Sequence, residues 1–115
     1  MKALLNGFES NEATFRTAIS NIPVGRAVVL QSSNDVYYPV TSTDFTGIIA
    51  SCKDGVASVV MKGYAVAAFK DTLPHIGICK LAPTTEGYME INESEGKPYT
   101  VVGVDAKNKT LEIIL

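Results

Sequence analysis

The chain has 115 residues, of which 46% are hydrophobic and 19% are charged, and its formal net charge is −2. A chain of this length forms one domain and buries roughly 65% of the surface that its unfolded form exposes, so a core forms without disulfide or metal staples. Acidic and basic residues are spread along the sequence, which argues against binding to a nucleic-acid backbone or an anionic membrane. No apolar run approaches the roughly 20 residues of a membrane span. Because Asn6-Gly7 comes too early for a signal sequence, we expect synthesis in a cytoplasm.

Residues 1–13 show neither a helical nor a strand period. They form either a frayed terminus or an extended arm that packs on another subunit or on a partner. Three apolar side chains would make that contact: Leu4, Leu5 and Phe8.

Residues 14–20 alternate better between apolar and polar side chains, with Phe15 at an apolar position, and predict a first strand. We therefore divide the chain into residues 1–20, an arm plus a first strand, and residues 21–115, a single β domain.

A turn at Pro23 precedes a predicted hairpin. Its strands cover residues 26–31 and 36–40, and the Ser-Ser-Asn-Asp run at 32–35 closes it because Asn and Asp tolerate tight turns. Pro39 has no N–H to give to a ladder, so the second strand ends or lies at a sheet edge near it.

The longest apolar stretch, residues 47–69, predicts three short strands. Charged residues and glycines interrupt it at 53–55 and 62–63, and its β-branched residues suit a pleated surface. Residues 56–61 carry so few charges that we place this strand inside a sheet, away from its edge.

The rest of the chain, residues 70–115, continues the alternation of short strands and turns. Strands are predicted at 78–82, 88–91, 99–104 and 110–115. Short strands at such intervals, without a helical period, predict an all-β sandwich or small barrel.

The sequence also predicts a two-fold repeat of one β-unit, with chance similarity as the alternative because identities are few. Residues 22–30 align with 73–81. The further matches are Tyr37 with Tyr88, Val40 with Ile91, 47–49 with 103–105, and 56–61 with 111–115.

Residues that could carry chemistry are sparse. Cys52 and Cys79 have the spacing of neither a redox motif nor a zinc site, so we expect buried or half-buried free thiols. His75 is the one histidine, lies in a predicted loop and reads as a surface residue. We therefore predict no enzymatic activity, no cofactor and no metal site.

Tyrosines are the best candidates for ligand contact, since the chain has five of them and no tryptophan. Tyr37, Tyr38 and Tyr64 could stack on a sugar ring, whereas the structural alternative is cross-strand packing.

Four motifs together resemble the small capsid decoration proteins of tailed bacteriophages. They are Pro-x-Gly-x-Ala-Val-Val-Leu at 23–30, Tyr-Pro-Val at 38–40, Phe-Thr-Gly-Ile-Ile at 45–49, and Asp-Gly-x-Ala-x-Val-x-x-x-Gly-Tyr-Ala-Val at 54–66. The Val-Val-Gly-Val run at 101–104 is similar to the family's ending. The chain departs from the family at Arg26, where an acidic residue is usual, and in the loop at 73–77.

This resemblance implies a β-barrel or β-tulip-like domain that binds the outside of a phage head and stabilises contacts between capsomers, without catalysis. The implied partner is the major capsid protein, and the implied state is a homo-oligomer, with a trimer favoured. The protein would be made in the host cytoplasm and reside on the capsid exterior of the virion. The arm, with Leu4, Leu5, Phe8 and Phe15, would hold the partner. The alternative is a receptor- or glycan-binding module of a head fibre or tail that uses Tyr37, Tyr38 or Tyr64.

Overall fold

A computed structural model describes residues 11–40 and 44–115, and this part of the chain is all-β. The predicted fold class is confirmed. The strands are β1 (Asn11–Arg16), β2 (Ala27–Ser32), β3 (Asp35–Tyr37), β4 (Gly47–Lys53), β5 (Val56–Lys62), β6 (Tyr64–Ala68), β7 (Gly77–Pro83), β8 (Met89–Ile91), β9 (Lys97–Asp105) and β10 (Thr110–Ile114).

The strands form two sheets, one from each half of the chain. Strands β1 to β5 form a closed barrel in the order β1-β3-β2-β4-β5. The barrel closes where Arg16 of β1 meets Asp35 of β3, the one parallel contact between these two strands. Strands β6 to β10 form a second sheet in the order β6-β10-β9-β7-β8.

The apolar stretch at 47–69 forms three strands, β4, β5 and β6, as predicted. The turns between them need left-handed backbone, with φ of 52° at Asp54, 78° at Gly55 and 94° at Gly63. Strand β5 pairs with β4 on one side and with β1 on the other. Its predicted place inside a sheet is therefore confirmed.

The second half repeats the strand order of the first. Around the barrel the order is β3-β2-β4-β5-β1, and across the second sheet it is β8-β7-β9-β10-β6, so each strand matches the one five further along. The register repeats as well. The pair Ile48–Val60 matches Thr100–Ile114, the pair Ile49–Val59 matches Val101–Ile113, and one unpaired residue follows in each half, Ala50 in β4 and Val102 in β9.

The alignment of the two halves is correct in one part and wrong in another. Ala27 pairs with Ile48, and Ile78 pairs with Thr100, which equates residues 27 and 78 as predicted. The match of 47–49 with 103–105 is wrong by four positions, since Ile48 corresponds to Thr100. The turn between β7 and β8 is longer than the turn between β2 and β3, and the next connection is shorter. For the same reason Tyr88, which precedes β8, does not correspond to Tyr37 in β3.

The first half contributes alternate residues to two different cores, because successive side chains of a strand point to opposite faces. The inside of the barrel is filled by Ile22, Val28, Val36, Ile49, Ala57 and Val59. A second core lies between the barrel and the second sheet: Ala27, Ile48 and Val60 meet Ala65, Ala67, Phe69, Cys79, Leu81, Met89, Val101, Leu111 and Ile113. Each fully buried Val, Leu, Ile or Met stabilises the fold by about 1.5–3 kcal/mol.

The first strand begins earlier than predicted and is a member of the barrel. It covers Asn11–Arg16, whereas residues 17–20 continue outside the strand. Thr17 still donates its backbone N–H to the carbonyl oxygen of Gly55 at 3.0 Å. Because β1 closes the barrel, residues 11–16 belong to the β domain, and residues 1–10 of the predicted arm lie outside the described part of the chain.

Both cysteines are free thiols, as predicted. Cys79 is buried in the core between the sheets, and Cys52 is half-buried against the barrel core.

Candidate binding surfaces

The second sheet presents to solvent the side of its strands opposite the core, here called the outer face. It includes Tyr64, Val66, Ile78, Lys80, Glu90, Thr100, Gly103, Glu112 and Ile114, which alternate along their strands with residues of the core. One row crosses four strands, because Tyr64 pairs with Ile114, Ile114 with Thr100, and Thr100 with Ile78. Ile78 is 69% exposed, the highest exposure of any large apolar side chain on a described strand.

A groove of about 540 Å³ crosses part of this face, between Val66, Gly103 and Glu112. The Tyr64 hydroxyl donates a hydrogen bond to the Glu112 carboxylate at 2.5 Å. Partial burial, this hydrogen bond and the negative charge of Glu112 raise the pKa of Tyr64 to about 12. Gly103 lies directly under the carboxylate, where a Cβ would collide with it, so the glycine gives Glu112 its place.

The predicted sugar-stacking tyrosines lie on two different surfaces. Tyr37 and Tyr38 meet edge to face at the end of β3, with ring centroids 6.1 Å apart. Tyr37 also borders a groove of about 460 Å³ whose walls include Arg16 and Gln31. Tyr64 belongs to the second sheet, so the three rings do not form one platform.

A cation–π cluster joins the barrel to the turn before β8. The Arg26 guanidinium lies 4.0 Å from the ring centroid of Tyr88. It donates to the Tyr88 hydroxyl at 2.7 Å and to the Glu86 carbonyl oxygen at 2.9 Å. Lys70 pairs with the Glu86 carboxylate at 3.4 Å. Arg26, where the chain departs from the decoration-protein pattern, therefore connects the two halves of this molecule.

The residues predicted to hold a partner are placed as follows. Leu4, Leu5 and Phe8 lie outside the described residues, and Phe15 on β1 is half-buried against the barrel core. The arm's first described residue, Asn11, pairs with Lys62 at the end of β5. Next to it, Glu12 and the 60% exposed Val24 border an apolar groove of about 240 Å³ between the two halves.

His75 is exposed, as predicted, and borders a small pocket of about 260 Å³ together with Cys79 and Glu93. The Cys79 thiol donates a hydrogen bond to the backbone carbonyl oxygen of His75 at 3.2 Å. The thiol proton is therefore directed at the backbone of His75 and not at its imidazole ring. The imidazole Nδ1 lies 3.1 Å from the carbonyl oxygen of Ile76. These contacts position the loop and do not form a nucleophile–base pair.

Within residues 11–40 and 44–115, no three His, Cys, Asp or Glu side chains are grouped as a metal site would require. The same part of the chain has no helix with the length and apolar character of a membrane span.

Comparison with known proteins gives no relative: no protein-family model, no curated protein and no solved structure matches the chain.

Sequence reasoning did not single out the row Ile78–Thr100–Ile114. A signal was present, since Ile78 and Lys80 alternate with buried neighbours and Ile78 aligns with Ala27 in the repeat. Alternation separates the two faces of a strand, but it does not tell which face another sheet covers.

Proposed function

We propose that this chain is a non-enzymatic structural protein that binds the outside of a bacteriophage capsid through the major capsid protein and stabilises contacts between capsomers. The sequence resemblance to decoration proteins supports this proposal, because its four motifs follow one another along the chain from the turn before β2 to β6.

The observation that carries the proposal is the anchoring of the arm's root. Strand β1 pairs with β5 at six positions, from Asn11–Lys62 to Arg16–Val56. Phe15 adds a half-buried ring against the barrel core. A pull on residues 1–10 is therefore resisted by a ladder in a closed barrel, which suits an arm that holds two surfaces together.

The apolar character of that arm provides the contact. Leu4, Leu5 and Phe8 would each bury apolar surface on the capsid, and a lattice offers many equivalent sites. Modest affinity at each site then suffices when several contacts engage together.

Truncation of the arm tests the proposal. The deletion should remove residues 1–10 only, because Asn11, Glu12 and Ala13 pair with β5. We expect the truncated protein to keep its far-UV circular dichroism and its melting temperature, and to lose at least tenfold in affinity for shells of the major capsid protein, measured by co-sedimentation.

Point variants of the full chain provide the matched control. Replacing Leu4, Leu5 and Phe8 together by Ser should weaken binding as strongly as the deletion, whereas replacing the polar residues Asn6 and Glu9 by Ser should not. Equal binding by the full and truncated chains would exclude the arm, and failure of the full chain to bind would refute the proposal.

A second candidate function, a glycan-binding module, is favoured by the groove beside Tyr37. An aromatic ring next to Arg16, Gln31 and Asp35 combines a stacking surface with hydrogen-bonding groups, as sugar recognition needs. A glycan array separates the two functions: a capsid-binding protein gives no reproducible hit, whereas a glycan module gives hits that Tyr37→Ala removes.

A further inference from the structure

The internal repeat allows equivalent faces of the two halves to be compared. In the barrel, the row Ala27–Ile48–Val60 is 0%, 1% and 7% exposed, because the second sheet covers it. The equivalent row in the second sheet is Ile78–Thr100–Ile114, on the outer face. Nothing in the described part of the chain covers that row, and Ile78 is 69% exposed. The same position in the repeat is thus core in one half and surface in the other.

We infer that the outer face of the second sheet associates with the same face of a second copy of this chain. Sheets pack face to face about 10 Å apart, and the barrel row is covered in this way within the molecule. The inner face that covers it is already buried in every copy, with Val101, Leu111 and Ile113 at 1%, 1% and 0% exposure. A second copy can instead offer its own outer face, and because both copies then use the same surface, the contact is isologous and two-fold.

Two opposite charges of the outer face are placed for pairing between copies, whereas a third charged residue of this face, Glu90, lies on the edge strand β8. Lys80 lies on β7 and Glu112 on β10, on opposite sides of the central strand β9. A two-fold axis in the plane of the interface can place Glu112 of one copy opposite Lys80 of the other, and the symmetry repeats the pair. The Tyr64 hydrogen bond fixes the carboxylate in place. The neighbouring carboxylate of Asp105 is occupied in its own turn, where it accepts hydrogen bonds from Lys107 and Asn108.

The small size of the face indicates a weak association. Five strands about 4.8 Å apart span roughly 24 Å, and strands of five residues are about 17 Å long, which gives about 400 Å² in each copy. A standard interface buries about 800 Å² in each partner. We therefore expect a dissociation constant in the micromolar range. This association does not depend on capsid binding, and its two-fold symmetry differs from the trimer that the sequence resemblance implies. A dimer would present two arms to a shell.

Sedimentation velocity of the full chain, between about 5 and 500 μM, tests the inference. The 12.3 kDa chain should show a concentration-dependent shift towards twice its mass. Ile78→Lys should weaken dimerisation at least tenfold without unfolding the protein, since the side chain is exposed. Val56→Lys is the matched control, because Val56 is a 51% exposed apolar residue of the barrel, and it should leave the dimer unchanged.

Charge reversal tests the two-fold pairing itself. Lys80→Glu and Glu112→Lys should each weaken the dimer at least tenfold, and the double variant should recover most of the loss, although Glu112→Lys also removes the Tyr64 hydrogen bond. A monomer at every concentration, or a dimer insensitive to Ile78→Lys, would overturn the inference. Failure of the double variant to recover would overturn the two-fold arrangement.

Discussion

The hydrogen bond between Tyr64 and Glu112 couples one residue pair to a large pKa shift. A tyrosine that donates to a carboxylate keeps its proton longer, because ionisation would remove the bond and create a second negative charge beside the first. Tyr99 also has a raised pKa, through burial first and the charge of Asp44 second. Tyr64 and Tyr99 should therefore both ionise at a higher pH than an ordinary tyrosine.

Replacing Tyr64 by Phe should remove one of these late transitions. In the wild-type protein, absorbance at 295 nm should show Tyr64 ionising near pH 12, and Glu112→Gln should lower that pKa, because the charge and the strong acceptor are lost. The control is Glu112→Gln in the Tyr64→Phe background, which should leave the remaining absorbance change unaltered.

The same shift predicts a dependence of stability on pH. The pKa of Tyr64 is higher in the folded state than its ordinary value of 10.0, so the stabilisation is complete below about pH 10 and is lost as the pH rises towards 12. The urea midpoint of wild type relative to Tyr64→Phe should fall across that interval. Parallel profiles for the two proteins would contradict the role of this bond.

At the level of the elements, the two matched hairpins, β4–β5 and β9–β10, both need a left-handed residue in the turn, and different residues occupy that position. Gly55 closes the β4–β5 hairpin with a φ of 78°, and Lys109 occupies the equivalent place in the β9–β10 hairpin with a φ of 54°. The carbonyl oxygens of both accept one backbone N–H at 3.0 Å, from Thr17 and Phe69 respectively. A left-handed conformation costs a non-glycine residue about 1–2 kcal/mol.

Lys109→Gly should therefore stabilise the protein by about 1 kcal/mol and raise its melting temperature by about 4 °C. The variant loses a hydrogen bond from Lys109 Nζ to the Lys70 carbonyl oxygen, but that contact is exposed and contributes little. The control is Lys107→Gly in the same turn, which should give no gain because Lys107 has no positive φ. A melting temperature equal to or below that of wild type would contradict this account.

Most of the strands could be predicted from the sequence, because their signals are local. Glycine and charge mark the turns at Asp54-Gly55 and Gly63, and β-branched residues fill the strands between them. The predicted span of β1 was wrong because β1 shows no clear alternation of its own. It is a strand because it pairs with β5, about 45 residues away in the sequence. The shifted repeat alignment has a similar cause, since a longer turn in one hairpin leaves no mark in the pattern.

The candidate surface was less predictable than the strands. The exposure of Ile78 follows from how the two sheets stack, and no local pattern encodes that stacking. Ala27 and Ile78 share one position of the repeat, yet the first is buried and the second exposed. Only the assembled sheets distinguish a core face from a free one.

For the molecule as a whole, the core between the two sheets makes the unfolding of the two halves cooperative. It contains residues of both halves, so neither half buries its apolar surface alone. Backbone hydrogen bonds also cross between the halves: Ala27 N–H donates to the Gly87 carbonyl oxygen at 2.7 Å, and Ala68 N–H donates to that of Gly25 at 2.8 Å. We therefore expect a single thermal transition whose calorimetric and van't Hoff enthalpies agree.

Cutting the chain at Gly63 tests this interdependence directly. Fragment 1–62 would expose Ile48 and Val60, and a chain of about 60 residues or fewer has a marginal core, so each fragment should be largely unfolded by circular dichroism. An equimolar mixture should regain the β signal, because each fragment supplies the surface that the other needs. Ile48→Lys in the first fragment should prevent this recovery, whereas Val56→Lys, at an exposed position, should not. If either fragment folded alone with a native-like signal, the two sheets would be separate folding units. Formation of the shared core would then not be required for each half to fold.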